Sequence, residues 1–198
     1  MENKVFFEMV KDYKIILASN SPRRKELLAG LGIDFSVRII KDIDESYPET
    51  LCGEEIPKYI SGKKAEAYRQ SMADDELIIT ADTIVYDNHH VLGKPSTREE
   101  AIAMLTELSG HAHEVITGVT LCTLSKKKQF VSTSRVFFDN LTEEEIIFYV
   151  DNYKPYDKAG SYGIQEWIGF VGVTRIEGSY FNVMGLPIQK LYRELKTF

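Results

Sequence analysis

Two cysteines in 198 residues, Cys52 and Cys122, are too few and too far apart for a disulfide scaffold or a Cys-x-x-Cys metal site, and a reducing compartment suits them. No apolar run approaches the ~20 residues that a membrane-spanning helix needs. Residues 1–13 mix Glu2, Lys4, Glu8, Lys11 and Asp12 with Phe6, Phe7 and Val10, so the basic-then-apolar order of a secretory leader is missing. Histidine is scarce, and the adjacent pair His89 and His90 falls at an expected hairpin turn, where neighbouring side chains diverge instead of sharing a metal. There is no internal repeat, low-complexity tract or linker, and neither a Walker-type glycine loop nor a Ser-His-Asp triad is evident. A net charge of −6 argues against general affinity for nucleic acid or anionic membrane, so any anion site must be a local cationic pocket. The expectation is a cytoplasmic protein with one sizeable domain and an ample core.

What is present centres on residues 15–28. Ile15, Ile16 and Leu17 read as a short strand, followed by a polar turn and a helix for which Ser21 is the N-cap and Pro22 the first helical residue. Arg23 and Arg24 then fall in the first turn, at the positive end of the helix dipole, where cations are disfavoured by up to ~1 kcal/mol each. Backbone N–H groups, the hydroxyls of Ser19 and Ser21 and two guanidiniums converging there fit a phosphate. The competing reading is a pair of solvated surface arginines.

Downstream, residues 35–40 alternate as a half-buried strand that leads into an acidic loop with Asp42, Asp44 and Glu45. Residues 54–72 have helical spacing and carry Lys64, on its own an ordinary solvated lysine. Residues 77–86 are apolar on both sides of Asp82, and a carboxylate in such a strand needs a partner, a metal or a salt bridge. A hairpin turn at residues 87–90 returns to Gly93, Lys94 and Pro95. Thr97 with Glu100, and Thr142 with Glu145, predict capping boxes that open two helices. Between them, residues 113–124 and 129–138 read as a hairpin whose lysines, Lys126, Lys127 and Lys128, form a solvated turn. Residues 153–162 read as loop, residues 167–176 as a strand or strand pair, and Pro187 as the start of a final amphipathic helix.

Strands alternating with helices and then clustering predict a mixed α/β fold with an elongated central sheet flanked by helices, in two lobes with a groove between them. The exceptional groups are the cationic turn, the acidic loop, Lys64, Asp82 and Lys94. Cations for phosphates, carboxylates for a divalent metal and a base for water are what a phosphoanhydride hydrolase requires.

The run Ala18-Ser19-x-Ser21-Pro22-Arg23-Arg24-x-Glu26-Leu27-Leu28 resembles the opening signature of the Maf family of nucleoside triphosphate pyrophosphatases. Further blocks follow in that family's order: Asp44-Glu45, Lys63-Lys64-Ala65, Ala81-Asp82-Thr83, Leu92 to Pro95, Leu108 to Gly110, Thr117 to Val119, Lys158 to Gln165 and Asn182 to Pro187. The resemblance covers residues 14–198 and leaves residues 1–13 as an N-terminal extension. It implies the fold of inosine triphosphate pyrophosphatases and hydrolysis of a nucleoside triphosphate to monophosphate and pyrophosphate with Mg²⁺ or Mn²⁺, by a homodimer. By position Asp82 matches the proton acceptor, Arg23, Thr83 and Gln165 match residues tied to base preference, and Ser19, Glu45, Lys64 and Lys94 match pocket positions. The Tyr-Gly-Ile-Gln form resembles the branch acting on dTTP and UTP, with Glu166 and Trp167 standing where small residues are common in the family. On this reading Glu45 and Asp82 hold the metal together with phosphate oxygens, Arg23, Lys64 and Lys94 clamp the triphosphate, and Asp82 orients or deprotonates water. Whether one carboxylate does both is open. A nucleotide-binding regulator of cell division that senses without hydrolysing is the alternative.

Overall fold

The computed structural model describes residues 10–88 and 90–198, so most of the expected N-terminal extension, and His89 of the hairpin turn, lie outside the described residues. Seven strands form one mixed sheet in the order β2-β1-β3-β5-β6-β7, with β4 paired to β3. The strands are β1 (Lys14–Leu17), β2 (Phe35–Val37), β3 (Glu76–Asp87), β4 (His90–Leu92), β5 (Ala112–Cys122), β6 (Lys127–Phe138) and β7 (Val173–Glu177). β1 runs parallel to both β2 and β3, while β4 on β3 and β7 on β6 are antiparallel. The helices are α1 (Pro22–Ala29), α2 (Glu55–Arg69), α3 (Arg98–Leu108), α4 (Glu143–Tyr153), α5 (Trp167–Gly172), α6 (Tyr180–Val183) and α7 (Ile188–Lys196). This is the expected mixed α/β architecture.

The chain divides into two compact units. The first takes the chain up to Asp82 with Thr117–Ser132 and Gly185–Phe198, and the second takes Thr83–Ile116 and Thr133–Met184.

In the first unit, a small core of Ile16, Ala18, Tyr68 and Ile78 joins β1, β3 and α2. α2 lies tight against the sheet because β5 has Gly118 beneath it, where a β-carbon would run into the Pro57 carbonyl group of the helix. Buried hydroxyls fix its height: Thr80 Oγ1 donates to the Ser61 carbonyl at 2.7 Å, and Thr120 Oγ1 donates to Ser61 Oγ at 3.1 Å. β2 ends at Val37 instead of reaching residue 40. Beyond it the Arg38 N–H donates to the Leu17 carbonyl and the Ile40 N–H to the Tyr68 hydroxyl, so the chain is held by single contacts and no ladder continues. The lysine turn is not merely solvated. Lys126 Nζ donates to the Phe198 carbonyl at 2.8 Å, and Lys128 Nζ reaches Thr197 Oγ1 at 2.8 Å and Glu194 Oε2 at 2.6 Å, tying α7 to the β5–β6 hairpin.

In the second unit, Leu105, Leu108, Val136, Tyr149, Val150 and Ile168 anchor the larger core beneath α3 and α4. The capping box at Thr142 and Glu145 forms as expected. At Thr97 only half of one does: Thr97 Oγ1 accepts from the Glu100 N–H, but Glu100 Oε2 accepts from the Ser96 N–H, one residue earlier than the motif requires. Residues 167–176 are a helix followed by a strand, not strand throughout. Gly169 decides this, since its bare α-carbon lets the turn of α5 close onto the Ile164 carbonyl, where a β-carbon would collide. The loop at residues 153–162 contains a short 3₁₀ turn, Ala159–Ser161.

Candidate active site

The turn between β1 and α1 is built as its residues dictate. Ser21 caps α1, its Oγ accepting from the Arg24 N–H at 3.4 Å, and Pro22 is the first helical residue. Ser19 Oγ accepts from the Ser21 N–H at 3.2 Å and lies 3.5 Å from an Arg24 guanidinium nitrogen. The two arginines take different roles. Arg24 Nε donates to the Gly185 carbonyl at 2.7 Å and its Nη1 to the Ala81 carbonyl at 2.8 Å, so its guanidinium joins α1 to the residue preceding Asp82. Burial pushes the Arg24 guanidinium below its ordinary pKa; Asp82 and Glu45 oppose that shift and Arg23 adds to it. Arg23 stands beside it in the first turn, half-buried.

Asp82 is 8% exposed in β3, and the partner its burial demands is Lys64, whose Nζ donates to Asp82 Oδ1 at 2.8 Å. The same ammonium lies 3.0 Å from Glu45 Oε1, with the lysine side chain 13% exposed and that of Glu45 51% exposed. One lysine from α2 thus bridges two carboxylates from separate elements. Its neighbour repeats the pattern at the surface: Lys63 Nζ reaches Asp44 Oδ2 at 2.6 Å, and this contact with the Ser46 hydrogen bonds holds the Asp44 carboxyl well below the usual range. The second carboxylate oxygen of Asp82 makes no hydrogen bond among the described residues, which leaves it open to accept a proton.

No group of three or more His, Cys, Asp or Glu gathers to form a metal cage among the described residues. Asp82 and Glu45, both on Lys64 Nζ, are a two-carboxylate donor set. That fits Mg²⁺ or Mn²⁺ arriving with phosphate oxygens, the mode in which one or two carboxylates suffice.

Three expected site residues belong to the second unit. Thr83 follows Asp82 in β3 and is half-buried. Lys94 is exposed after β4 and makes no hydrogen bond or ion pair among the described residues. Gln165 lies in the turn between the 3₁₀ segment and α5, and its Oε1 is a buried acceptor without a hydrogen-bond partner among the described residues. Around it is a polar network that sequence spacing does not single out. Tyr149 O–H donates to Glu166 Oε2, Lys158 Nζ lies 3.1 Å from Glu166 Oε1, and the Gly163 N–H donates to the Tyr149 hydroxyl at 3.0 Å. Burial, reinforced by the bond to Glu166, pushes the Tyr149 phenol well up from its ordinary pKa. A tyrosine on an amphipathic helix looks like any core aromatic, and nothing local marks it.

The sequence model of one family, described as Maf-like protein, matches residues 14–198. A protein of Parabacteroides distasonis named dTTP/UTP pyrophosphatase is 63% identical over 96% of this chain and 99% of its own. One of Bacteroides fragilis with the same name is 62% identical over 93% of this chain and 95% of its own. Among solved structures, the Staphylococcus aureus Ham1 protein is similar with a TM-score of 0.52 at 17% identity, covering 93% of this chain and 98% of that one, a likeness that shows the fold. With that family model matching residues 14–198 and relatives above 60% identity spanning more than nine-tenths of the chain, the chain belongs to the Maf-like protein family.

Proposed function

We propose that this protein hydrolyses dTTP and UTP to the nucleoside monophosphate and pyrophosphate. The observation that carries the reading is Lys64 pinning Asp82 Oδ1 in an apolar strand, in a chain whose relatives are named for that reaction. With one oxygen held by the ammonium, the second carboxylate oxygen is left to orient the attacking water. Asp82 takes a proton from that water as the oxygen attacks the α-phosphorus; the bond from the α-phosphorus to the bridging oxygen breaks and pyrophosphate departs. The hydroxyls of Ser19 and Ser21 and the Arg23 guanidinium receive phosphate oxygens, while Arg24 holds the turn against Ala81 and Gly185. Glu45 and Asp82 would hold the divalent cation, which when bound neutralises charge on the phosphates. Lys94 and Thr83 enter this reading through their position in the family pattern alone.

Gln165 reads the base. Its buried, unpartnered Oε1 is an acceptor that the N3–H of uracil or thymine satisfies, whereas cytosine presents a second acceptor at N3. Such a mismatch costs roughly 1–3 kcal/mol, or ~5- to 150-fold in preference. UTP and dTTP are expected well ahead of CTP, and Gln165→Ala is expected to lose this preference more than it loses turnover. Steady-state kcat/KM on the three nucleotides tests it, and equal values for UTP and CTP in the unmutated protein would overturn the assignment.

Activity is expected to vanish in excess chelator and to return with Mg²⁺ or Mn²⁺. Pyrophosphate release by exhaustively chelated protein at the full rate would remove the metal from the reading. We infer a homodimer from the family resemblance and a reducing cytoplasm from the sparse cysteines. The two cysteines, both free, suit the second assignment, and no helix among the described residues is long and apolar enough to cross a membrane.

A further inference from the structure

The segment Gly163 to Glu166 is a turn closed by the Glu166 N–H donating to the Gly163 carbonyl at 2.9 Å, with Gln165 at its third position. Both ends of this turn meet on one atom. The Tyr149 hydroxyl accepts from the Gly163 N–H and donates to the Glu166 carboxylate, so a single phenol spans the turn that presents Gln165. Lys158, 8% exposed, takes the other carboxylate oxygen of Glu166 at 3.1 Å and is itself held by Asp157 at 2.7 Å. The fit leaves no slack. A β-carbon on Gly163 would lie 2.8 Å from the Glu166 carboxyl carbon and 3.0 Å from Lys158 Cε. On the far side the Ile164 carbonyl is pressed against Gly169 of α5, and Ile164 is itself buried.

A glutamine amide can satisfy uracil in one orientation and cytosine in the other, so it discriminates only if its surroundings prevent it from turning. A loop glutamine on a free turn would also shift by the fraction of an ångström that weakens a hydrogen bond. We propose that Tyr149, Glu166 and Lys158 are specificity-determining positioning residues: they clamp the turn so that the backbone of Gln165, and with it the reach of its amide, is held in register with the pyrimidine base. None of the three is asked to touch the nucleotide. This rests on the reading of Gln165 given above, and it gives Glu166 a place: its carboxylate fills the space that Gly163 leaves open.

The test compares kcat/KM for UTP and CTP in the full-length protein and in Tyr149→Phe, Glu166→Ala, Glu166→Gln, Gln165→Ala and the double variant Gln165→Ala/Glu166→Ala. Tyr149→Phe and Glu166→Ala are each expected to reduce the UTP-over-CTP ratio at least about fivefold, raising KM for UTP more than they lower kcat. Glu166→Gln, which still accepts from the Tyr149 O–H, is expected to retain more of the ratio than Glu166→Ala. The double variant should discriminate no worse than Gln165→Ala alone, because the clamp acts only through the glutamine. If Gln165→Ala abolishes the preference while Tyr149→Phe and Glu166→Ala keep it, the clamp is refuted and the reading of Gln165 survives. If the unmutated protein has no preference, both fall together. Should Tyr149→Phe fail to fold, Glu166→Ala decides alone, and equal losses on both nucleotides would mark the network as structural only.

Discussion

Asp82→Asn lowers dTTP turnover by about two to four orders of magnitude, the range in which a positioned general base contributes, while the protein stays folded. The amide keeps the shape of the carboxylate, so β3 and its neighbours have no steric reason to move. What it loses is the charge that Lys64 Nζ meets at 2.8 Å and the basicity of the oxygen left open to water. Lys64 retains Glu45 at 3.0 Å, which limits the cost of leaving a half-buried ammonium with one partner fewer. Pyrophosphate release measured alongside a thermal melt separates the outcomes. Near wild-type turnover would remove Asp82 from the chemistry, and a collapse of the melt would make the Lys64–Asp82 pair a structural salt bridge.

The two arginines of the opening helix respond oppositely to removal. Arg24→Ala costs about 2–5 kcal/mol of stability without nucleotide, because two charge-assisted bonds to the Ala81 and Gly185 carbonyls, each worth roughly 1.5–3 kcal/mol, are lost. Relief of a cation at the positive helix end returns only ~0.3–1 kcal/mol of that. Arg23→Ala is expected to leave stability unchanged or raise it slightly, by at most ~1 kcal/mol, and to weaken triphosphate binding instead. Urea unfolding of both variants, paired with nucleotide titration, checks the contrast. Equal stability losses would mean that both arginines serve the fold, and no loss for Arg24→Ala would show its carbonyl contacts to be incidental.

The difference between these neighbours marks where sequence reasoning ran out. The cap at Ser21, Pro22 as the first helical residue and the box at Thr142 rest on atoms within four residues of each other, so local chemistry decides them and they were legible. Asp82 was legible for the opposite reason: a carboxylate among apolar strand residues announces a partner, although not that Lys64 supplies it. Arg24 reads as an anion ligand because its acceptors, Ala81 and Gly185, lie 57 and 161 residues away. Lys126 and Lys128 read as solvated for the same reason, their partners being at the far end of the chain. The misreading of residues 167–172 as strand is different in kind. Aromatic and β-branched residues there do favour strand, and it is close packing of Gly169 on the Ile164 carbonyl that selects the helix. Tyr149 was invisible because what sets it apart from a core aromatic is one oxygen atom, placed by its fold partners Gly163 and Glu166.

Gly118 carries a consequence for natural variation. The side chain it lacks sets how near α2 approaches β5, and α2 is the element that brings Lys64 to Asp82. A mutation to alanine there changes no charge, donor or acceptor. It would nonetheless lift the helix by pushing on the Pro57 carbonyl, lengthening an ion pair that the mutated residue never touches. Drift at an innocuous-looking glycine can therefore erode activity, while a genome inspected only at its charged residues would still read as encoding an intact enzyme.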